Sequence, residues 1–417
     1  MKRIIVLTML ISCLAIMVGT AQEDVYVVGK DGEYTYRLWK NGEATALSCS
    51  YANAVFVSGD DVYIAGAGSR TNAYGFLVYI ARIWKNGEAT TLTNNDITDS
   101  FATSVFVSGD DVYVVGYQSG AGTKTTVKLW KNGVATNLTD GTTSAYAYSV
   151  FVSGSDVYVC GYEIPNDDRR TVAKMWKNGE AIDLTDGTIT SFAQSIFVSG
   201  NDSYVAGYSL NEGNSVVKLW KNGVVTKLTD GTKRADAPSV YVSGNDVYVA
   251  GYEASEGSNG TVKLWKNGVA TNLTDGTTFA RASSVFVSGN DVYVAGYETP
   301  NDGRTRLAML WKNGEAIALT DGTKPANAYS VFVKDNSGSG IDDIQTDNSL
   351  SLYPNPVKDD LFIRGEIDAN RAKIYTLTGK PALDYSLTAN GSVNVSALPA
   401  GIYVLRVGNK YGKFVKE

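Results

Sequence analysis

The sequence predicts an all-β chain: a seven-bladed β-propeller closed by a C-terminal strand and followed by a small β-sandwich. Three observations carry this reading. Trp-Lys-Asn-Gly occurs seven times, with spacings of 45, 46, 46, 44, 45 and 46 between Trp39, Trp84, Trp130, Trp176, Trp220, Trp265 and Trp311. Each period reads as four short strands, which fits propeller blades rather than helical solenoids or leucine-rich repeats. The array also begins one strand late and ends one strand over.

The first element is a leader. Lys2 and Arg3 precede an apolar run from Ile4 to Val18 and then Gly19, Thr20 and Ala21, the order of a secretory signal peptide over residues 1–21. Leu10-Ile11-Ser12-Cys13 also fits a lipoprotein box with Cys13 lipidated. Cleavage there would leave the apolar Leu14 to Val18 at the mature terminus, so cleavage after Ala21 is preferred. No later stretch approaches the ~20 apolar residues of a membrane helix. The mature chain carries 35 basic and 43 acidic residues, a net charge of −8, which disfavours nucleic acid and anionic lipid as partners. Of its two cysteines, Cys49 and Cys160, the second fills a strand position held elsewhere by Val115, Ala206, Ala250 and Ala295. It therefore reads as a small buried residue rather than half of a disulfide.

The blade from Ser284 to Thr320 shows the strand pattern. Strand A is Ser284 to Val287, and Ser288-Gly289-Asn290 turns the chain. Strand B, Asp291 to Gly296, alternates Val292 and Val294 with Tyr293 and Ala295. Strand C is Leu307 to Lys312, and Asn313-Gly314 closes it in the two-residue hairpin that needs positive φ at both central residues. Strand D is Glu315 to Thr320. The mature chain opens with strands B, C and D, Val25 to Leu47, and the array ends on an orphan strand A, Ser330 to Val333. Placing that strand in the first blade closes residues 24–334 into a ring without an unpaired edge at the junction. Each Trp buries ~150–250 Å² and is core before it is a ligand platform.

Strand B ends in Gly and a Trp follows further along, an order that resembles the kelch-type propeller repeat. The chain departs from it where kelch units carry Gly-Gly, since Gly116-Tyr117, Gly161-Tyr162, Gly207-Tyr208, Gly251-Tyr252 and Gly296-Tyr297 stand here. The resemblance implies the blade layout and no binding residues.

Residues 335–348 are rich in Gly, Ser and Asp and read as a linker. Short alternating strands follow at Asp360 to Arg364, Ala372 to Leu377, Ser392 to Val395, Gly401 to Val407 and Lys413 to Lys416, a small β-sandwich over residues 349–417. Leu352-Tyr353-Pro354-Asn355-Pro356, Ile374 to Gly379, Leu398 to Val404 and the basic tail Lys410 to Lys416 together resemble the type A C-terminal sorting domain of the type IX secretion system. The resemblance implies a Bacteroidetes-type bacterium, passage through the periplasm, engagement of the type IX machinery, export across the outer membrane, and removal of this domain with release or surface attachment.

Function is read from what varies among the blades. The chain has no histidine, which excludes Ser-His-Asp and Cys-His catalysis and histidine-bound zinc. The A–B and C–D turns barely change, whereas the B–C loops vary: Ala67 to Tyr79, Gln118 to Thr126, Glu163 to Thr171, Ser209 to Ser215, Glu253 to Thr261 and Glu298 to Arg306. Variable loops on a rigid frame are where binding residues sit. Aligned on the Ala before strand A, the D–A connections present Tyr51, Phe101, Tyr146, Phe192, Asp236, Arg281 and Asn327, and one residue beyond it Tyr148, Gln194 and Tyr329 among others. This mixture of aromatic, amide and charged groups suits a sugar or a peptide, and equally suits aromatics that seal the blade tops. Thr-Asp-Gly-Thr at Asp140, Asp186, Asp230, Asp275 and Asp321 reads as a turn in which Asp caps its own backbone rather than as a metal ligand. No cofactor or metal is expected. The expected protein is a monomeric, exported scaffold binding a glycan or protein through its B–C and D–A face. The alternative is a polysaccharide-cleaving enzyme using a carboxylate such as Asp236 beside Arg281.

Overall fold

The computed structural model describes residues 23–93, 98–119, 122, 124–166, 170–211, 213–255, 259–302, 305–336, 350–364, 371–376, 381–387, 391–408 and 410–417. The leader with Cys13, nearly all of the linker and the Leu377 to Gly379 end of one C-terminal motif lie outside the described residues.

The alternating segments form strands, giving an all-β, propeller-like fold. Between Asp24 and Lys334 the described residues form seven antiparallel four-stranded sheets. Six run A-B-C-D in chain order, as in Phe279–Ser288, Asp291–Thr299, Leu307–Lys312 and Glu315–Ala318. In the remaining sheet Ala326–Lys334 pairs with Asp24–Asp31, which is followed by Tyr36–Lys40 and Glu43–Leu47. The strands A are Tyr51–Ser58, Ser100–Ser108, Ser144–Ser153, Ser191–Ser199, Arg234–Ser243, Phe279–Ser288 and Ala326–Lys334. Each touches the next, and the last touches the first.

Three sets of contacts hold neighbouring sheets together. Phe56, Phe106, Phe151, Phe197, Tyr241, Phe286 and Phe332 pack in sequence with ring centroids 4.6–5.0 Å apart, and Phe332 returns to Phe56 at 4.9 Å. A strand-A serine accepts a backbone N–H from the following strand A, as Ser104 does from Val150 (3.3 Å) and Ser239 from Val285 (3.0 Å). The Val55 amide completes this series by donating to Ser330 Oγ at 3.2 Å. Finally, each Trp is buried against the preceding sheet: Trp130 lies with Tyr63, Ala65 and Ile83, and Trp39 lies with Tyr293 and Leu310 near the end of the array.

Strand limits differ from the sequence reading in a regular way. The strands A begin three to five residues earlier than expected, because the residues ahead of them also pair with strand B. Strand D stops at Ala318, where Leu319 turns off while its amide still bonds Ala308 O at 2.8 Å. Much of the expected B–C loop from Ala67 to Tyr79 is strand, since Asp61–Thr71 pairs with Leu77–Lys85. Cys160 is fully buried and both cysteines are free.

At the C-terminus Ser351–Tyr353, Asp360–Arg364 and Ser392–Asn394 form one sheet, and Pro381–Ser386, Arg371–Thr376, Gly401–Val407 and Lys410–Lys416 form another. Leu361, Val393, Ile374, Leu405 and Phe414 from both sheets share one buried core. Ser351–Tyr353 and Pro381–Ser386 were not among the expected strands. The first is three residues long, and the second begins with a proline on an edge, so neither shows a clear alternating run.

Deleting Ser330 to Val333 removes four cross-strand pairs with Val25 to Val28, at about 0.2–1 kcal/mol each, together with the burial of Val331 and Val333. A melting temperature lower by several degrees, with aggregation, is expected in a thermal scan. Unchanged melting would show that this strand pairing does not support the array.

Candidate functional site

The two ends of the sheets differ in how their polar groups are used. At the C–D hairpins every Asn has φ of 50–52°, the left-handed geometry of a type I′ turn. The Asn side chain then reaches back to strand B, as where Asn132 Oδ1 accepts from Val112 N (2.8 Å) and Asn132 Nδ2 donates to Asp111 Oδ1 (2.7 Å). Asp111 also bridges to Lys131 at 2.7 Å, and the Lys131 ammonium lies 5.2 Å from the centre of the Tyr113 ring. The lysine and asparagine bonds hold the Asp111 carboxyl below its usual range. The same Asp-Lys-Asn arrangement recurs at Asp24, Asp61, Asp156, Asp202, Asp246 and Asp291. The polar groups of this rim are engaged with one another.

The opposite end is built on a bulge. In each strand A the register with strand B slips by an extra residue just after the aligned position, between Ala52 and Ala54, Ala147 and Ala193 and their following serines, and at equivalent places in the other sheets. A bulge bends the strand and re-aims the inserted side chain. It also brings a carbonyl over strand B: a Cβ at Gly116 would lie 1.9 Å from Phe101 O, and one at Gly161 1.9 Å from Tyr146 O. The glycine that ends each strand-B motif is therefore required by this close approach.

The bulge gathers the predicted residues. Tyr51, Phe101, Tyr146, Phe192, Asp236, Arg281 and Asn327 occupy the same rung, paired with Ala67, Tyr117, Tyr162, Tyr208, Tyr252, Tyr297 and Lys30. Tyr148, Gln194 and Tyr329 are themselves the inserted residues. A run of half-buried rings crosses four sheets: Tyr51 to Phe101 (5.3 Å), Phe101 to Tyr117 (5.4 Å), Tyr117 to Tyr146 (4.9 Å), Tyr146 to Tyr162 (5.0 Å), Tyr162 to Phe192 (4.9 Å) and Phe192 to Tyr208 (5.0 Å). Beyond it the chemistry turns polar. The Arg281 guanidinium lies 4.2 Å from the centre of the Tyr252 ring, and that of Arg306 4.3 Å from Tyr297. Arg306 Nη1 donates to Asn327 Oδ1 (3.2 Å), and Asn327 Nδ2 donates to Tyr329 Oη (3.3 Å). Tyr36 joins Tyr329 to Tyr51, 6.5 Å from the first ring and 5.9 Å from the second.

Several of these polar atoms lack a partner among the described residues. Gln194 Oε1, Asp236 Oδ1, Arg281 Nε and Arg306 Nε are buried without a hydrogen bond, each an uncompensated desolvation. Burial pushes the Asp236 carboxyl up to about 6, against the opposing pull of Arg281. Among the other bulge residues, Asn53 donates to Ala102 O (2.8 Å) and Thr103 to Ala147 O (2.9 Å) of the next sheet, so their side chains join sheets.

Sequence reasoning missed Tyr117, Tyr162, Tyr208, Tyr252 and Tyr297, although the repeated Gly-Tyr pair marks them. It also missed Tyr36, Tyr79 and Arg306. Where strand B offers Lys30 or Ala67 in place of Tyr, Tyr36 and Tyr79 from strand C supply the ring. The Thr-Asp-Gly-Thr turns are self-capped: Asp140 Oδ1 accepts from Thr142 N (2.9 Å) and Thr142 Oγ1 (2.7 Å), and the other four repeat this. Among the described residues no group of three or more Cys, Asp or Glu is placed to hold a metal ion.

Residues 351–417 match the secretion system C-terminal sorting domain. That domain marks a protein exported by type IX secretion to the cell surface or the medium, and it implies contact with the secretion machinery. Among the described residues no helix is long and apolar enough to cross a membrane. No curated protein matches the chain. Among solved structures, the β-propeller domain of the Trilobed protease from Pyrococcus furiosus aligns at 15% identity and TM-score 0.45, covering 73% of this chain and 96% of that one. Pyrococcus horikoshii acylaminoacyl peptidase aligns at 15% identity and TM-score 0.43 (83% and 56%), and TolB from Acinetobacter baumannii at 13% and 0.37 (73% and 82%). At these values the activities of those proteins are not transferred to this chain.

The raised Asp236 carboxyl has a signed consequence. A group protonated more readily in the folded state than in the unfolded one stabilises the fold less as pH rises from about 4 to about 6. Asp236→Asn should remove that slope and stabilise the protein at pH 7, by on the order of 3 kcal/mol for two pH units. Denaturant melts of both proteins at pH 4 and 7 check this, and equal stability differences at the two pH values would contradict it.

Proposed function

We propose that the exported chain is a closed, seven-bladed propeller with kelch-like strand order, occupying residues 24–334, and that it binds a glycan or protein ligand in the mouth at the bulged end. On this reading residues 1–21 are a signal peptide, residues 349–417 are a sorting module reached through the linker, and the source is a Bacteroidetes-type bacterium. The observation that carries the proposal is the contrast between the two ends. The hairpin rim satisfies its charges internally, whereas the mouth combines a run of aromatic faces with buried polar atoms that have no partner. Aromatic faces with a few convergent polar groups are the usual lining of a ligand site. Three exposed aromatics on adjacent B–C turns extend that lining: Tyr34 is 82% exposed, Tyr74 74% and Phe76 69%.

A second reading keeps the same mouth and makes it a polysaccharide-cleaving site. It is favoured by Asp236, whose raised carboxyl near Arg281 is the kind of group that acts as a general acid near neutral pH. The mature protein, presented with soluble polysaccharides, separates the two readings when both retention and reducing-end release are measured. Retention without release is expected. Release that disappears in Asp236→Asn would establish the second reading.

Destination gives an independent check. A chain lacking residues 349–417, expressed in a type IX-competent host, should accumulate in the periplasm, as fractionation and immunoblotting would show. Export at the full-length level would sink the sorting role of this module.

A further inference from the structure

We infer that the mouth takes an acidic polysaccharide, with its carboxylates held by Arg281 and Arg306 and its sugar rings laid on the neighbouring tyrosine faces. This rests on reading the mouth as a ligand site and names the class of ligand. Each guanidinium lies over a tyrosine ring: Arg281 over Tyr252 at 4.2 Å, and Arg306 at 4.3 Å over Tyr297, the register partner of Arg281. Neither forms an ion pair among the described residues, whereas Arg37 and Arg371 bridge to Asp31 and Asp384. The Nε atoms of both are buried without a hydrogen bond, whereas Arg281 as a whole is half-buried and its Nη atoms make no hydrogen bond among the described residues. A guanidinium held over an aromatic ring with both Nη atoms unbonded presents two parallel N–H donors, the geometry that matches a planar carboxylate; Arg306, whose Nη1 bonds Asn327, adds its second Nη.

A pyranose ring needs a flat apolar face close to such a fork, and the run through Tyr208, Phe192 and Tyr162 supplies it on the second and third sheets before that of Arg281. An extended peptide is less suited to the centre of this end. Six strand-A amides there are already bonded to serine hydroxyls of the preceding sheet, which leaves little edge for an added strand. The mature chain is acidic overall, at net −8, so selection acts through contact in the mouth rather than by long-range steering. Asp236, beside Arg281, opposes an anionic ligand and should limit its affinity.

The test uses affinity electrophoresis of the mature full chain in gels containing polygalacturonate or alginate, each run beside its carboxyl-reduced form. The expected result is retardation by at least one acidic polymer and not by its reduced form. Arg281→Gln and Arg306→Gln should each weaken it by about tenfold or more, as loss of a charged hydrogen bond implies, and Asp236→Asn should strengthen it. Circular dichroism melts confirm folding, and Arg281→Lys serves should Arg281→Gln fail to fold, with weakening again expected because lysine lacks the fork. Equal retardation by parent and reduced polymers would overturn the carboxylate assignment and leave the ligand-site reading standing. Retention only by a protein partner would overturn the polysaccharide class, and retardation by nothing at all would overturn both.

Discussion

The bond from each strand-A amide to the serine hydroxyl of the preceding sheet is the constraint on which the rest of the molecule depends. Sheets of four short strands have two edges each, and the inner edge would otherwise expose unpaired amides. Serine fills that need at six junctions, including the bond from Val55 to Ser330 across 275 positions of sequence. At the seventh, between the first and second strands A, Ala54 stands at the serine position and has no hydroxyl to offer. With the sheets drawn this close, the phenyl rings of Phe56 and its equivalents meet in sequence and each Trp is clamped against the preceding sheet. The bulge that follows the aligned rung then re-aims the inserted side chains, of which Asn53 and Thr103 bond the next sheet.

Near-identical repeats yield an unequal mouth because only a few positions escape the repeat. The hairpin rim reuses one Asp-Lys-Asn solution in every sheet. The mouth takes its character from the rung where Tyr51, Phe101, Tyr146 and Phe192 give way to Asp236, Arg281 and Asn327. One arc is aromatic and nearly uncharged, and the other carries two stacked arginines, an amide and a buried carboxyl. Such polarity is what the proposed ligand site offers a molecule having an apolar face and an anionic group.

Much of this was legible in the sequence, and the parts that were not share a physical cause. Trp spacing, Asn-Gly pairs and the offset of the terminal strands are one-dimensional patterns, and they anticipated the sheets and the pairing of Ala326–Lys334 with Asp24–Asp31. The ten candidate residues came from aligning the D–A connections on the Ala before strand A, and the structure puts them on one rung and its bulge at the same end of the sheets. The bulge was invisible: no residue type is required at it, as Asn53, Tyr148 and Gln194 all occupy it. Its only trace is the glycine opposite, where a Cβ would strike a carbonyl. Arg306 and Tyr79 were missed for a related reason. Tyr79 lies in strand C and Arg306 just ahead of it, each two residues from the strand-C member of the rung, Ala81 or Ala308, and only cross-strand register brings them near the strand-A residues.

The most direct measurement of the central claim, that the bulged end is the ligand face, is hydroxyl-radical footprinting of the mature chain with and without a saturating mixture of soluble acidic and neutral polysaccharides. Protection is predicted at the exposed Tyr34, Tyr74 and Phe76 and at the half-buried Tyr51, Tyr146 and Tyr162, with Val134, Val224 and Val269 beside the Asn-Gly hairpins unchanged. Protection of those valines with the tyrosines unaltered would contradict the account and move the ligand face to the other end of the sheets.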